Sequence, residues 1–186
     1  MNTRKLNLGC GRDIRSGFVN LDQTPLPGVD VVHDLGRLPL PFGDGAFDEI
    51  LCQDILEHLH DYVPLLGELH RILAPGGRLV MRVPHFTSRD NFVDPTHRRL
   101  FSVDTFGFFA AEAPPSKGHE RDYYFKFRFG RLESVRITFP RGSRLLLPNS
   151  IVEPLVNRTH RAQVFYEQSG LSRLFPAENI EAVLIR

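Results

Sequence analysis

Sulfur is scarce in this chain: 186 residues carry two cysteines, Cys10 and Cys52, and two methionines. Each cysteine falls in or at the end of a predicted strand, so both are expected as free thiols rather than a disulfide framework, with the reducing cytoplasm as the expected location. An excess charge of either sign is also missing. Lys+Arg 23 against Asp+Glu 22 leaves a formal net charge of +1, so the charge balance does not call for nucleic acid or another polyanion as partner. No apolar run reaches the length of a membrane span, and Met1-Asn2-Thr3-Arg4-Lys5 leads into the first predicted strand with no apolar signal region. An unprocessed chain without a membrane span is expected. The apolar fraction of 41% over 186 residues suits one domain, residues 1–186, with a sizeable core.

What the chain does have begins at Leu6-Asn7-Leu8-Gly9-Cys10-Gly11, a short apolar strand running into Gly-x-Gly. Glycine lets a backbone approach a nucleotide-type cofactor where side chains would block it, although the same pattern also suits an ordinary tight turn. Further strands follow in order. Phe18-Val19-Asn20-Leu21 ends at Asp22, whose carboxylate is placed to accept from the hydroxyls of a ribose. Val29 to His33 ends at Asp34 and Leu35, Phe47 to Cys52 runs into Gln53-Asp54, and Pro75-Gly76-Gly77 leads into Arg78 to Val83. Four polar strand ends thus line one edge of a sheet. Between the last two strands, Tyr62, Leu65, Leu66, Leu69, Ile72 and Leu73 recur at helical spacing, with Pro64 tolerated in the first turn. Strands alternating with such a helix imply a largely parallel sheet that binds ligands at its carboxyl edge.

At these motifs the chain resembles the class I S-adenosylmethionine-dependent methyltransferases of the broad type 11 group. The resemblance is carried by LNLGCG, VNLD, HDL, LPFGDGAFDEILCQDILEHL and RILAPGGRLVMRVP, in order over residues 5 to 85. It is closest to small bacterial and archaeal methyltransferases. The resemblance implies a Rossmann-like, mostly parallel seven-stranded sheet of order 3-2-1-4-5-7-6 with an antiparallel last strand. It also implies S-adenosylmethionine as cofactor, with Gly9, Cys10, Gly11 and Asp22 at the nucleoside, Asp34 and Leu35 beside the adenine, and Gln53 and Asp54 by the methionine part. Asp48, at the start of a strand, is expected to be structural. One departure is visible: residues 9 to 17 are too few for a helical crossover, which takes about a dozen or more. The first helix is therefore expected to be shortened or absent, and the cofactor pocket open unless a later segment or a second subunit of a homo-oligomer covers it.

Residues 85 to 120 lack a long periodic stretch and read as an irregular lid anchored by a Phe-rich run, Phe101 to Phe109. Phe125, Phe127 and Phe129 alternate with Lys126 and Arg128 in an extended segment, residues 149 to 174 read as helical with an interruption near Gly170, and Asn179 to Arg186 closes the sheet. The alternation of Phe with Lys and Arg also suits a base-stacking surface, but any half-buried strand shows the same pattern.

Methyl transfer from a sulfonium needs alignment and exclusion of water, and an oxygen or nitrogen acceptor must also lose a proton. Glu57 and His58, matching a recurring family pair, and His97 are the candidate catalytic groups, with helix anchoring as the competing role for the first two. His85, Asp94, Arg98 and Arg99 are candidates for holding the acceptor, the arginines through a carboxylate or phosphate. No metal is expected, because His85, Asp94 and His97 lack a short paired-ligand spacing. The expected activity is methyl transfer to a small or medium-sized acceptor. Two alternatives remain: a non-catalytic cofactor-binding partner subunit, and a dinucleotide-dependent oxidoreductase, against which Ile14 stands where G-x-G-x-x-G needs its third glycine.

Overall fold

The computed structural model describes residues 4–115, 123–141 and 148–186. Its first half is a run of short parallel strands: β1 (Lys5–Leu8), β2 (Val19–Asp22) and β3 (Val31–Val32), followed by β4 (Phe47–Gln53). No helix joins these four. Residues 9–18 are instead folded back by two buried asparagines. Asn7 Nδ2 donates to Asp13 O at 2.7 Å, and Asn20 Oδ1 accepts from Arg15 N at 2.9 Å. The side chains of the strands thereby satisfy loop backbone that a helix would otherwise satisfy internally.

The one long crossover helix, α1 (Val63–Ile72), starts with Pro64 in its first turn and buries Leu65, Leu66, Leu69 and Ile72, the stripe expected from sequence. These leucines join Leu6, Leu8, Leu21, Ile50 and Met81 in the main core. The helix runs without a loop into β5 (Leu73–Pro84). Pro75-Gly76-Gly77, expected as a turn before the strand, forms an irregularity inside it: pairing with β4 jumps from Phe47↔Leu73 to Glu49↔Arg78. Gly77 is required there, since a Cβ would lie 2.8 Å from Ala74 O and 3.0 Å from Asp48 O. Asp48 itself accepts from Arg4 N at 2.8 Å, the structural part expected of it.

After β5 come a single helical turn, α2 (Asp90–Val93), a 3-10 turn over Thr105–Phe109, and the strands β6 (Ala110–Glu112) and β7 (Phe129–Thr138). Helices α3 (Asn149–Val156), α4 (His160–Gln168) and α5 (Leu171–Leu174) precede β8 (Asn179–Ile185). The sheet order is β3-β2-β1-β4-β5-β8-β7-β6, with β8 antiparallel to both neighbours. This is the expected order with one strand added. Phe106 and Phe109 are 0% and 2% exposed, so the Phe-rich run is anchored in the core, and it delivers Ala110–Glu112 alongside β7 as an eighth, edge strand.

The helical stretch 149–174 is broken twice rather than once. Asn157 leaves the helix to pair with the backbone of Ile137, donating to its O at 2.7 Å and accepting from its N at 2.8 Å. Thr159 then caps α4 by accepting from Ala162 N. Phe125 and Phe127 lie before β7, not in it, and turn inward: the Phe127 ring stacks on Phe109 at 5.9 Å and 2°. The aromatic faces offered for base stacking are thus spent on packing. Both cysteines are buried free thiols, as expected. Among the described residues, no helix is long and apolar enough to cross a membrane. Residues 116–120 of the expected lid lie outside the described residues.

Candidate functional site

Because β1, β2, β3 and β4 are parallel, their carboxyl ends open onto one edge, and the chain leaves each strand there in a conformation set by local chemistry. Gly9 and Gly11 have φ of +63° and +50°, which a side-chain-bearing residue adopts only with strain. A Cβ on Gly9 would lie 2.1 Å from Ile55 Cδ1, whereas one on Gly11 would meet nothing within 4 Å. Gly9 is therefore demanded by packing, and Gly11 leaves open space beside the loop. Asp22 locks this turn to β2: Oδ2 accepts from Gly11 N and Oδ1 from Thr24 N, both at 2.8 Å.

The result is a cavity of about 400 Å³ lined by Gly9, Asp22, Gln23, Asp34, Leu35, Asp54, Ile55, His58, Leu59 and Thr96. Five of the eight candidate cofactor residues meet here. Cys10 is 5% exposed, and its thiol is pushed up first by burial and then by Asp22. Gln53 is outside the lining too, its Oε1 accepting from Arg15 Nη2 at 2.8 Å. The donor set suits a nucleoside joined to an amino acid: Asp22 retains acceptor capacity for a diol, Asp34 offers a carboxylate to an exocyclic amine, and Leu35, Ile55 and Leu59 supply apolar contact for a base.

Next to it lies a second cavity of about 600 Å³, lined by Asp54, Glu57, His58, Arg82, Pro84, Asp90, Val93, Asp94, His97, Glu178 and Asn179. Asp54 and His58 belong to both walls. Asp54 has φ +55° and is gripped side-on by Arg82, through Nε to Oδ1 at 3.0 Å and Nη2 to Oδ2. That forked pairing fixes the shared wall.

The 3-10 turn Leu56–His58 places the next two groups. Glu57 is 0% exposed, and among the described residues neither of its carboxylate oxygens has a hydrogen-bond partner. Burial, with Asp54 adding, pushes it up to about 7. His58 Nδ1 lies 2.7 Å from Thr96 Oγ1, and its ring stands edge-on to His97, centroids 4.7 Å apart. Burial and then His97 lower its pKa. The loop that carries His97 is pinned to the turn by Arg98 N donating to Glu57 O at 2.7 Å. Thr96 hydrogen bonds hold the Asp94 carboxyl below the usual range.

The structure therefore gathers Glu57, His58, Asp94 and His97, and adds Arg82, Thr96 and Glu178, which sequence did not single out. Arg82 had a visible signal, since it lies next to last in the predicted strand Arg78 to Val83 that leads to His85. Glu178 had none, and Thr96, although bonded to nearby Asp94, meets His58 from 38 residues away. His85 is not brought to either cavity. It is 0% exposed, with Nδ1 2.7 Å from Thr87 Oγ1 and Nε2 3.1 Å from Glu167 Oε1, and it holds β5 against α4. Arg98 and Arg99 lie outside both linings, Arg99 donating to His60 O.

A mostly parallel sheet with one antiparallel strand and a glycine-lined cavity at its carboxyl edge defines the Rossmann-like methyltransferase class of fold. The sequence comparisons agree with that class over part of the chain, and S-adenosylmethionine is the cofactor of that class. The family model described as "Methyltransferase domain" matches residues 6–81. Among curated proteins, the chain is 54% identical over 44 residues to a demethylmenaquinone methyltransferase of Thermus thermophilus, covering 24% of this chain and 20% of the relative. It is 31% identical over 123 residues to a trans-aconitate 2-methyltransferase of Methylobacterium radiotolerans, covering 57% and 45%. It thus spans less than half the length of these relatives. Among solved structures, a SAM-dependent methyltransferase from Archaeoglobus fulgidus matches with TM-score 0.56 at 18% identity, over 99% of this chain and 86% of that one. Another from Mesorhizobium loti matches with TM-score 0.54 at 18% identity, over 100% and 91%.

Proposed function

We propose that the protein transfers the methyl group of S-adenosylmethionine to a small, uncharged or cationic acceptor bearing a hydroxyl or an amine. The observation that carries this reading is the shared wall: Asp54 and His58 border both the glycine-lined cavity and the acidic cavity beside it. In the reading, Asp22 takes the ribose diol, Leu35 and Ile55 the adenine, and Asp54 the amino-acid end of the cofactor. The cofactor supplies an electrophilic methyl on a sulfonium. When the acceptor's lone pair forms the new bond to that carbon, the carbon–sulfur pair stays on sulfur, and the acceptor's proton must leave.

The second cavity sets the acceptor class. Asp54, Glu57, Asp90, Asp94 and Glu178 border it, against a single guanidinium, Arg82, already paired with Asp54. A polycarboxylate such as trans-aconitate would meet repulsion there, and Arg98 and Arg99 are not in the lining to compensate. The Glu57–His58–His97 cluster lies on the acceptor side and gives the departing proton a destination. A cavity of this size beside the cofactor site favours catalysis over a cofactor-binding partner subunit.

The test is transfer of labelled methyl from S-adenosylmethionine to panels of hydroxyl, amine and polycarboxylate compounds. Label is expected in hydroxyl or amine compounds. Transfer confined to polycarboxylates would overturn the acceptor class, and absence of cofactor binding would overturn the reading as a whole.

A further inference from the structure

We propose that Glu57, His58 and His97 hold a divalent first-row transition-metal ion, of the zinc type, at the wall of the acidic cavity. Each residue offers one ligand atom, and these atoms all lie within 4.8 Å of one another. Ligands at the usual zinc distances stand about 3.3 Å apart in a tetrahedral set, so loading draws the three inward.

The protonation of the cluster follows from its hydrogen bonds. Thr96 Oγ1 has one hydrogen and donates it to Asp94 Oδ1 at 2.6 Å. At 2.7 Å, His58 Nδ1 must therefore be the donor to Thr96 Oγ1, which leaves the lone pair on Nε2. In His97, Nε2 lies 3.8 Å from Asp94 Oδ2, while Nδ1 is buried with no partner among the described residues. Asp94 thus orients the His58 imidazole through Thr96, an outer-shell arrangement that metal-bound histidines use, and stands beside His97 without a hydrogen bond to it.

Glu57 supplies the independent observation. It is a fully buried carboxylate, and both oxygens lack a hydrogen-bond partner among the described residues. Such an orphan is costly to bury, and a cation answers it and the unpartnered His97 nitrogen together. Two imidazoles and one carboxylate suit zinc, iron or cobalt, whereas magnesium and calcium prefer oxygen ligands throughout. Three protein ligands leave a coordination position open, and all three residues line the acidic cavity. There a bound hydroxyl would lose its proton more readily, so with the ion in place the cluster need not take that proton itself. Only this role toward the acceptor rests on the proposed function; the ion site does not.

The experiment uses tag-free, chelator-stripped full chain titrated with Zn²⁺ by calorimetry and with Co²⁺ by visible absorption and paramagnetic proton NMR. One ion per chain is expected, with hyperfine-shifted ring protons from His58 and His97. Glu57→Gln and His97→Ala should each weaken binding by about tenfold or more. S-adenosylhomocysteine affinity should stay within about twofold in both, since neither residue lines the glycine-lined cavity. No saturable binding, shifts from other histidines, or unchanged affinity in the folded double variant overturns the site. The wild-type spectra decide the matter even if the variants fail to fold. Metal binding without S-adenosylhomocysteine binding would support the ion site while overturning the proposed function.

Discussion

His58 Nδ1 lies 2.7 Å from Thr96 Oγ1, tying the turn after β4 to a loop 38 residues further along the chain. With Arg98 N donating to Glu57 O, this forms a two-point latch that sets His97 edge-on to His58. The latch gives the acidic cavity a wall built from two remote segments, and the function proposed for the site depends on it.

If the glycine-lined cavity takes the cofactor nucleoside, Asp22→Ala removes the diol acceptor and also leaves Gly11 N and Thr24 N without the oxygens they now use. S-adenosylhomocysteine affinity should fall about tenfold to 100-fold by calorimetric titration. Gly11→Val should also weaken binding, because a branched side chain would occupy the open space at φ +50°. Folded variants with wild-type affinity would remove both residues from the cofactor site.

His97→Ala should cut methyl transfer by about 100-fold while leaving S-adenosylhomocysteine affinity within about twofold. His97 borders the acidic cavity and not the glycine-lined one. Equal losses in both measurements would make the residue a structural prop.

Gly9→Ala places a Cβ 2.1 Å from Ile55 Cδ1 at a φ of +63°. Two separable costs are expected, contact and backbone strain, the strain about 1–2 kcal/mol. Adding Ile55→Ala should remove the contact cost only. A double-mutant cycle in denaturant melts should therefore show coupling of at least about 0.5 kcal/mol, and strict additivity would contradict the contact.

Glu68 accepts from Leu40 N at 2.7 Å and from Arg71 Nε and Nη2 at 2.9 and 2.6 Å. The Arg71 hydrogen bonds, helped by the Leu40 amide and against burial, hold its carboxyl below the ordinary value of 4.5. Its stabilising contribution is therefore full above that pH and is lost as pH falls through the lowered folded value. Glu68→Gln should cost about 1–3 kcal/mol at neutral pH. The gap to wild type should narrow in melts run at progressively lower pH, and a gap that stays constant would refute the linkage.

The glycine-lined cavity was legible in sequence because it is built from strand ends. A strand that ends in Gly9, Asp22, Asp34 or Asp54 delivers that residue to the carboxyl edge of a parallel sheet whatever the rest of the chain does. The missing first helix was legible for a similar reason, since residues 9–17 cannot hold one and still reach β2. Cys10 and Gln53 show the limit: both sit at strand ends, yet burial claims the first and Arg15 the second.

The acceptor side was not legible in the same way. His85, Arg98 and Arg99 look as functional in sequence as His97, but alternation along β5 and hydrogen bonds to Glu167 and His60 decide which way each is used. The trio proposed to hold an ion differs from the one weighed in sequence for the same reason, since Glu57 and His58 meet His97 only through the latch. The eighth strand likewise arises from the burial of Phe106 and Phe109, which patterning alone read as anchors without a strand following them. Local order along the chain thus determined the sheet, its cofactor edge and the α1 stripe, because hydrophobic period and glycine geometry act over a few residues. Tertiary contact decided the acidic cavity, the Glu57–His58–His97 cluster and the edge strand, because each depends on side chains tens of residues apart packing and hydrogen-bonding in one place.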